Sequence, residues 1–234
     1  MGNWFYKMKQ KCERFTIPNL TMFVTFCMAA GLVLLMRENG YTLYMNKLAF
    51  IPSYVLHGQI WRIFSTLIFP PTLSYLPLIV VAIVCFYSIG STVERSLGQF
   101  EYNFYFFGSV LLGEIAILIA YFITGWEMVF LPSHAVFSVF MAYAILYPEA
   151  QILVMYVLPV KAKYVGIAEF ALYVYWFITG DLAEKIMVVA ALIPVILFFF
   201  IVRKDGYANG NILDDIKMRI RQRKRRKEWE DQNK

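Results

Sequence analysis

The chain has 234 residues, 60% of them hydrophobic and 16% charged, and a formal net charge of +6. With a mean hydropathy of +0.58, this composition excludes a soluble domain with an ordinary charged surface and points to an integral membrane protein. The cysteines, Cys12, Cys27 and Cys85, are unclustered, so neither a disulfide framework nor a metal site is expected. No cofactor and no nucleic-acid partner is expected either.

Residues 1–19 form a basic, aromatic lead-in with Trp4, Phe5, Lys7, Lys9, Lys11 and Arg14. The first apolar run is Leu20–Met36. It is followed by Arg37-Glu38-Asn39-Gly40 and not by a small-residue cleavage site, so no cleavable signal peptide is expected. The connection from Arg37 to Pro71 is too polar to span and rich in rings, among them Tyr41, Tyr44, Tyr54 and Trp61. Such a segment suits the headgroup zone, where aromatic rings sit half wet. Further apolar runs are Leu73–Ile89, Tyr102–Ile123, Ser133–Tyr147, Tyr164–Ile178 and Ile186–Val202. Hydrocarbon offers no water to backbone groups, so each run reads as a helix. The expected fold is an all-α membrane protein, a six-helix bundle over residues 20–202 with a charged tail at 203–234.

Basic residues set the expected orientation. With six spans and the N-terminus inside, 18 of the 22 Lys and Arg fall in inner segments, against Arg37, Lys47, Arg62 and Lys185 outside. This bias places both termini in the cytoplasm. The run Ser133–Tyr147 has 15 residues, roughly 22 Å of helix, short of a hydrocarbon core of about 30 Å. It makes sense as a central helix shielded by longer neighbours, with Ser133 at its outer end.

Several stretches resemble one family. Leu131-Pro132-Ser133-His134-Ala135-Val136-Phe137, with Tyr147-Pro148-Glu149-Ala150-Gln151 downstream, resembles the nucleophile-bearing fourth helix of rhomboid intramembrane proteases. Gly58-Gln59-Ile60-Trp61-Arg62-Ile63-Phe64 is similar to the Trp-Arg element shared by rhomboids and derlins. The resemblance implies that Trp61 and Arg62 either anchor the outer loop or contact a client. Arg62 can bond loop carbonyls or lipid phosphates. Ile89 to Gly98, with Gly90, Glu94 and Gly98, resembles the family turn Gly-x-x-x-Glu-x-x-x-Gly. There the glycines permit close approach and Glu94 can accept bonds from exposed amides.

The resemblance also exposes losses. It puts Ser133 at the nucleophile position, but Leu131 and His134 stand where the family has glycines. The base position on the last helix falls on Ala191, and the oxyanion donors fall on Leu78 and Ala82. His134 directly follows Ser133, and helix neighbours point about 100° apart, so it is not expected to serve as that serine's base. Ser133 is expected to act as a helix N-cap. A serine needs a base and a donor-lined oxyanion site to attack a peptide bond, so the protein is expected not to be an enzyme.

Two acids lie inside apolar runs, where a carboxyl is costly. Glu169 is expected to reach Lys161, Lys163 or Arg95. Glu114, beside Gly113, has no evident partner in sequence and is expected to face a cavity or to make a structural hydrogen bond. The basic run Arg219 to Lys227 can bind anionic lipid. Taken with the resemblance, these features imply a catalytically inactive rhomboid-like protein, a pseudoprotease, that binds or routes integral-membrane clients. It would be multi-pass, and in the plasma (inner) membrane if the source is a bacterium. The alternatives are an active rhomboid serine protease and a proton-coupled transporter.

Overall fold

The computed structural model describes residues 16–69, 76–130, 132–154 and 158–204. The basic lead-in before Thr16, Leu131 and the tail from residue 205 on lie outside the described residues. The chain divides into a unit Met1–Val195 and a unit Ile196–Lys234. The described part of the second is helical.

The first unit is mostly helical. The apolar run after Asn19 forms α1 (Leu20–Leu35), and Asn39 and Gly40 restart the chain into α2 (Gly40–Lys47). Short helices α3 (Pro52–Leu56) and α4 (Arg62–Ser65) follow, with a 3-10 turn at Thr66–Ile68. The connection from Arg37 is thus a folded chain of short helices. Then come α5 (Leu76–Leu97), α6 (Gln99–Thr124), α7 (Ser133–Leu146), α8 (Ala162–Thr179) and α9 (Leu182–Lys204), the last containing Pro194. Among the described residues, three helices are long and apolar enough to cross a membrane: Pro77–Leu97, Gln99–Thr124 and Leu182–Phe200. The helices over Leu20–Leu35 and Ser133–Leu146 are apolar but shorter.

The described structure is mostly helical, as expected, but the connector after Pro148 is not an irregular amphipathic stretch. Gln151–Val154 (β1) and Leu158–Lys161 (β2) form an antiparallel hairpin, with Gln151 opposite Lys161 and Val154 opposite Leu158. Pro159 has no N–H to donate, which a two-stranded edge tolerates. The strands hold short aliphatic and β-branched runs, Ile152-Leu153-Val154 and Leu158-Pro159-Val160, which favour extended backbone.

The expected turn from Gly90 to Gly98 is also corrected. Gly90 and Glu94 lie within α5, which runs on to Leu97, and the chain reverses only at Gly98. Gly98 has φ +98°, a left-handed conformation that glycine alone takes without strain. Gly90 instead serves close packing. A Cβ there would stand 2.7 Å from Thr21 Cγ2 and 3.0 Å from the Tyr102 hydroxyl.

Helix α7 is the middle of the first unit. It packs on α5, α6 and α8, while α1 lies on α5 and on the 3-10 turn. Ala135, Phe137, Ser138, Val139, Ala142 and Ala144 of α7 are buried. Phe137 joins Tyr173 of α8 and Val188, Ala191 and Val195 of α9 in one apolar cluster.

Candidate functional site

Above α7, the connecting segment is organised by Arg62. Its side chain is fully buried. Nη1 donates to the carbonyls of Ala49, at 2.5 Å, and Met45, at 3.3 Å, and Nη2 donates to Asn46 O at 2.6 Å. Nε donates to Gln59 Oε1 at 2.8 Å, and the guanidinium lies 4.5 Å from the Tyr54 ring centroid. Two of these carbonyls belong to the last turn of α2, whose orphan acceptors a cation satisfies well. Burial lowers the Arg62 pKa, against which the Tyr54 and Tyr44 side chains act. Trp61 lies outside this knot. Its Nε1 donates to Lys47 O at 3.1 Å while the residue stays 55% exposed. Arg62 therefore bonds loop carbonyls, and Trp61 presents its ring outward.

The folded connection is stapled to the segment ahead of α7 through Phe50 and Phe130. These two form a β-bridge in which Phe130 N donates to Phe50 O at 3.1 Å. The Phe130 ring covers Gly113 of α6 and fixes the chain just before Ser133.

At the start of α7, Pro132 is the N-cap residue and Ser133 the first helical residue. The expected capping role of Ser133 is therefore corrected: the chain enters the helix through proline, whose φ of −69° suits it. Ser133 is half-buried, and no hydrogen bond joins its hydroxyl to another described residue. The ring of His134 turns away to α8, where Nδ1 shares a hydrogen bond of 3.2 Å with the Tyr173 hydroxyl. Tyr173 stacks on Phe137 with ring centroids 3.8 Å apart.

Ala191, at the expected base position, lies in the apolar cluster with Phe137 and Tyr173. Leu78 is 45% exposed on α5, and Ala82 lines a groove on that helix. Ser133 thus has neither a base nor side-chain donors among these positions.

A buried polar seam joins α6 to α7. Tyr105 OH donates to Ser138 O at 2.6 Å, and Ser138 Oγ lies 2.9 Å from Ser109 Oγ. Sequence reasoning missed it. The available signal was a serine in the middle of each of two apolar runs. Glu114, five residues beyond Ser109, is buried, and its Oε1 has no partner among the described residues.

Glu169 is not paired as expected. Lys161 and Lys163 both bond Glu149, at 2.8 Å and 2.5 Å. These bonds hold the Glu149 carboxyl down at about 2. Glu169 instead lines an open groove of about 450 Å³ between α5 and α8, with α7 as its floor. Ala82, Cys85 and Ile89 form one wall, Val136, Val139 and Phe140 the floor, and Val165, Ala168, Glu169 and Leu172 the other wall. Glu169 has neither a hydrogen-bond nor an ion-pair partner among the described residues.

Among the described residues, no cluster of three His, Cys, Asp or Glu could hold a metal ion. No protein-family model, curated protein or solved structure matches this chain.

Proposed function

We propose that the chain is a catalytically silent rhomboid-like membrane protein that binds transmembrane segments of other proteins. On this reading it crosses the membrane six times with both termini in the cytoplasm, where most of its basic residues lie. The groove between α5 and α8 carries the reading. It is apolar except for one carboxyl and edged by the small residues Ala82, Cys85 and Ala168. Small residues let helix backbones approach closely, which drives helix association in lipid. The loss of protease chemistry supports binding over cleavage. Among the described residues Ser133 has no base, because His134 is committed to Tyr173 and Ala191 is apolar.

A photoreactive residue at Leu172, in the groove, and one at Phe122, exposed on α6, test this in native membranes. Discrete integral-membrane adducts should form from Leu172 and not from Phe122. The same adducts from both positions, or lipid adducts alone, would remove the groove as a binding site.

A further inference from the structure

The walls of the groove are rows at helical spacing. Ala82, Cys85 and Ile89 on α5, and Val165, Ala168, Glu169 and Leu172 on α8, each cover two turns of one helix face. Seven residues of helix rise by about 10 Å, so the groove runs alongside the helices and is shaped for another helix laid against them. Within it Glu169 is the one carboxyl, about 10 Å along α8 from Ala162. The cations nearest in sequence, Lys161 and Lys163, are held by Glu149 at the far end of the hairpin junction. Tyr173, one turn beyond Glu169, is held by His134. Nothing described in the chain therefore answers the Glu169 carboxylate, and a carboxyl facing hydrocarbon is retained at a cost.

We infer that Glu169 selects the occupant: a transmembrane helix carrying an arginine or lysine that meets this carboxylate at its own depth in the groove. This rests on the proposal that the groove binds transmembrane helices, and it names the chemistry of the partner. A basic residue in a single span is itself costly in lipid. Pairing with Glu169 gives both groups a partner at once, whereas a wholly apolar helix leaves the carboxyl unanswered. The spans of this chain hold no Lys or Arg at matching depth, so a second copy of the same chain does not supply the cation.

The test uses the full chain in liposomes with synthetic 23-residue Leu/Ala transmembrane helices that carry a photoreactive leucine. One variable residue, Arg, Leu or Glu, is set at successive positions along one face. Photo-adducts are mapped by mass spectrometry. The Arg helix should label groove residues about tenfold more than the Leu helix at one depth. Glu169→Gln should reduce that preference to less than about twofold, and Glu169→Lys should transfer it to the Glu helix. Unfolding temperatures of both variants serve as the folding control. Equal groove labelling by Arg and Leu helices would overturn the role of Glu169 while leaving the groove as a helix site. No groove labelling by any helix would overturn the groove itself.

Discussion

The Glu94 carboxylate and the Leu20 amide are 74 residues apart in the chain and 2.8 Å apart in space. The second carboxylate oxygen accepts the Thr21 amide at 3.1 Å. Asn19, the residue before α1, caps nothing with its own side chain. A buried acid near the end of α5 therefore satisfies two of the orphan amides at the start of α1, at the positive end of the helix dipole. Asn103 does similar work beside it, accepting from Ile17 N and donating to Ile17 O, both at 3.1 Å.

Replacing Glu94 by alanine should leave both amides buried without acceptors, at about 2–3 kcal/mol. Glu94→Gln retains one oxygen but turns an NH₂ toward a donor, so an intermediate loss is expected. Unfolding in detergent measures the total. Hydrogen exchange at Leu20 and Thr21 should accelerate in both variants before the rest of the chain does.

Arg62 gives a second test. A lysine offers a compact ammonium and cannot span Met45, Asn46 and Ala49 while also reaching Gln59, as the planar guanidinium does. Arg62→Lys should cost about 1–3 kcal/mol through orphaned carbonyls, and Arg62→Ala should cost more. Trp61→Ala removes a single bond from a half-exposed ring and should be milder. Equal unfolding temperatures for wild type and Arg62→Lys would show that the carbonyls find other donors.

The helices and the loop's aromatic character were legible because hydropathy and ring content are local properties of the chain. Glu94 and Gly98 were legible as special positions, although Glu94 lies within α5 and the chain turns only at Gly98. That Arg62 bonds loop carbonyls was legible, but which ones was not, since that depends on how the chain from Met45 to Ala49 folds back over α4. Nor was the pairing of His134 with Tyr173, 39 residues on. Helix α7 is apolar nearly all round, so its sequence does not mark which face meets α8. The hairpin was missed because strands of four residues carry too short a pattern to separate from an amphipathic connector.

The junction of α7, the hairpin and α8 should respond to acid. Glu149 titrates near 2 because Lys161 and Lys163 donate to it. Its bridges therefore contribute fully above the ordinary carboxylate pKa and are lost as the pH falls through about 2. These groups are exposed, so salt should weaken the effect. A nitroxide at Gln151 should keep constant mobility from pH 7 to about 4.5 and loosen below that. In Glu149→Gln it should be mobile throughout. A wild-type transition near pH 4.5 that salt does not change would contradict the pairing.

The six-span orientation has a direct check. In a cysteine-free background, single cysteines at Glu38, Glu127 and Asp181, all exposed, should react with impermeant thiol reagents from outside intact cells. Cysteines at Gln99 and Asn209 should react only after permeabilisation. Outside labelling at Asn209 would reverse or break the proposed topology.

The last prediction is the absence of peptidase activity at Ser133. The serine opens α7 half-buried, close to the point where the Phe50–Phe130 bridge fixes the chain, so its position is well held. What it lacks is activation. His134 is its neighbour in sequence, but the imidazole is turned to Tyr173, and Ala191 offers no proton acceptor. Leu78 and Ala82 offer no side-chain donors to an oxyanion. The loss of a single such donor costs about a hundredfold or more in rate, and an unactivated serine is a weak nucleophile. Ser133 should therefore not label with a fluorophosphonate, and Ser133→Ala should leave partner binding in the groove unchanged. Tyr173→Phe supplies the control. It frees His134 from its one partner on α8, yet the ring still follows Ser133 on the same helix and points about 100° away, so labelling should stay absent. Fluorophosphonate labelling of wild type that is lost in Ser133→Ala, together with cleavage of a reporter transmembrane segment, would overturn the reading and require a base outside the positions described.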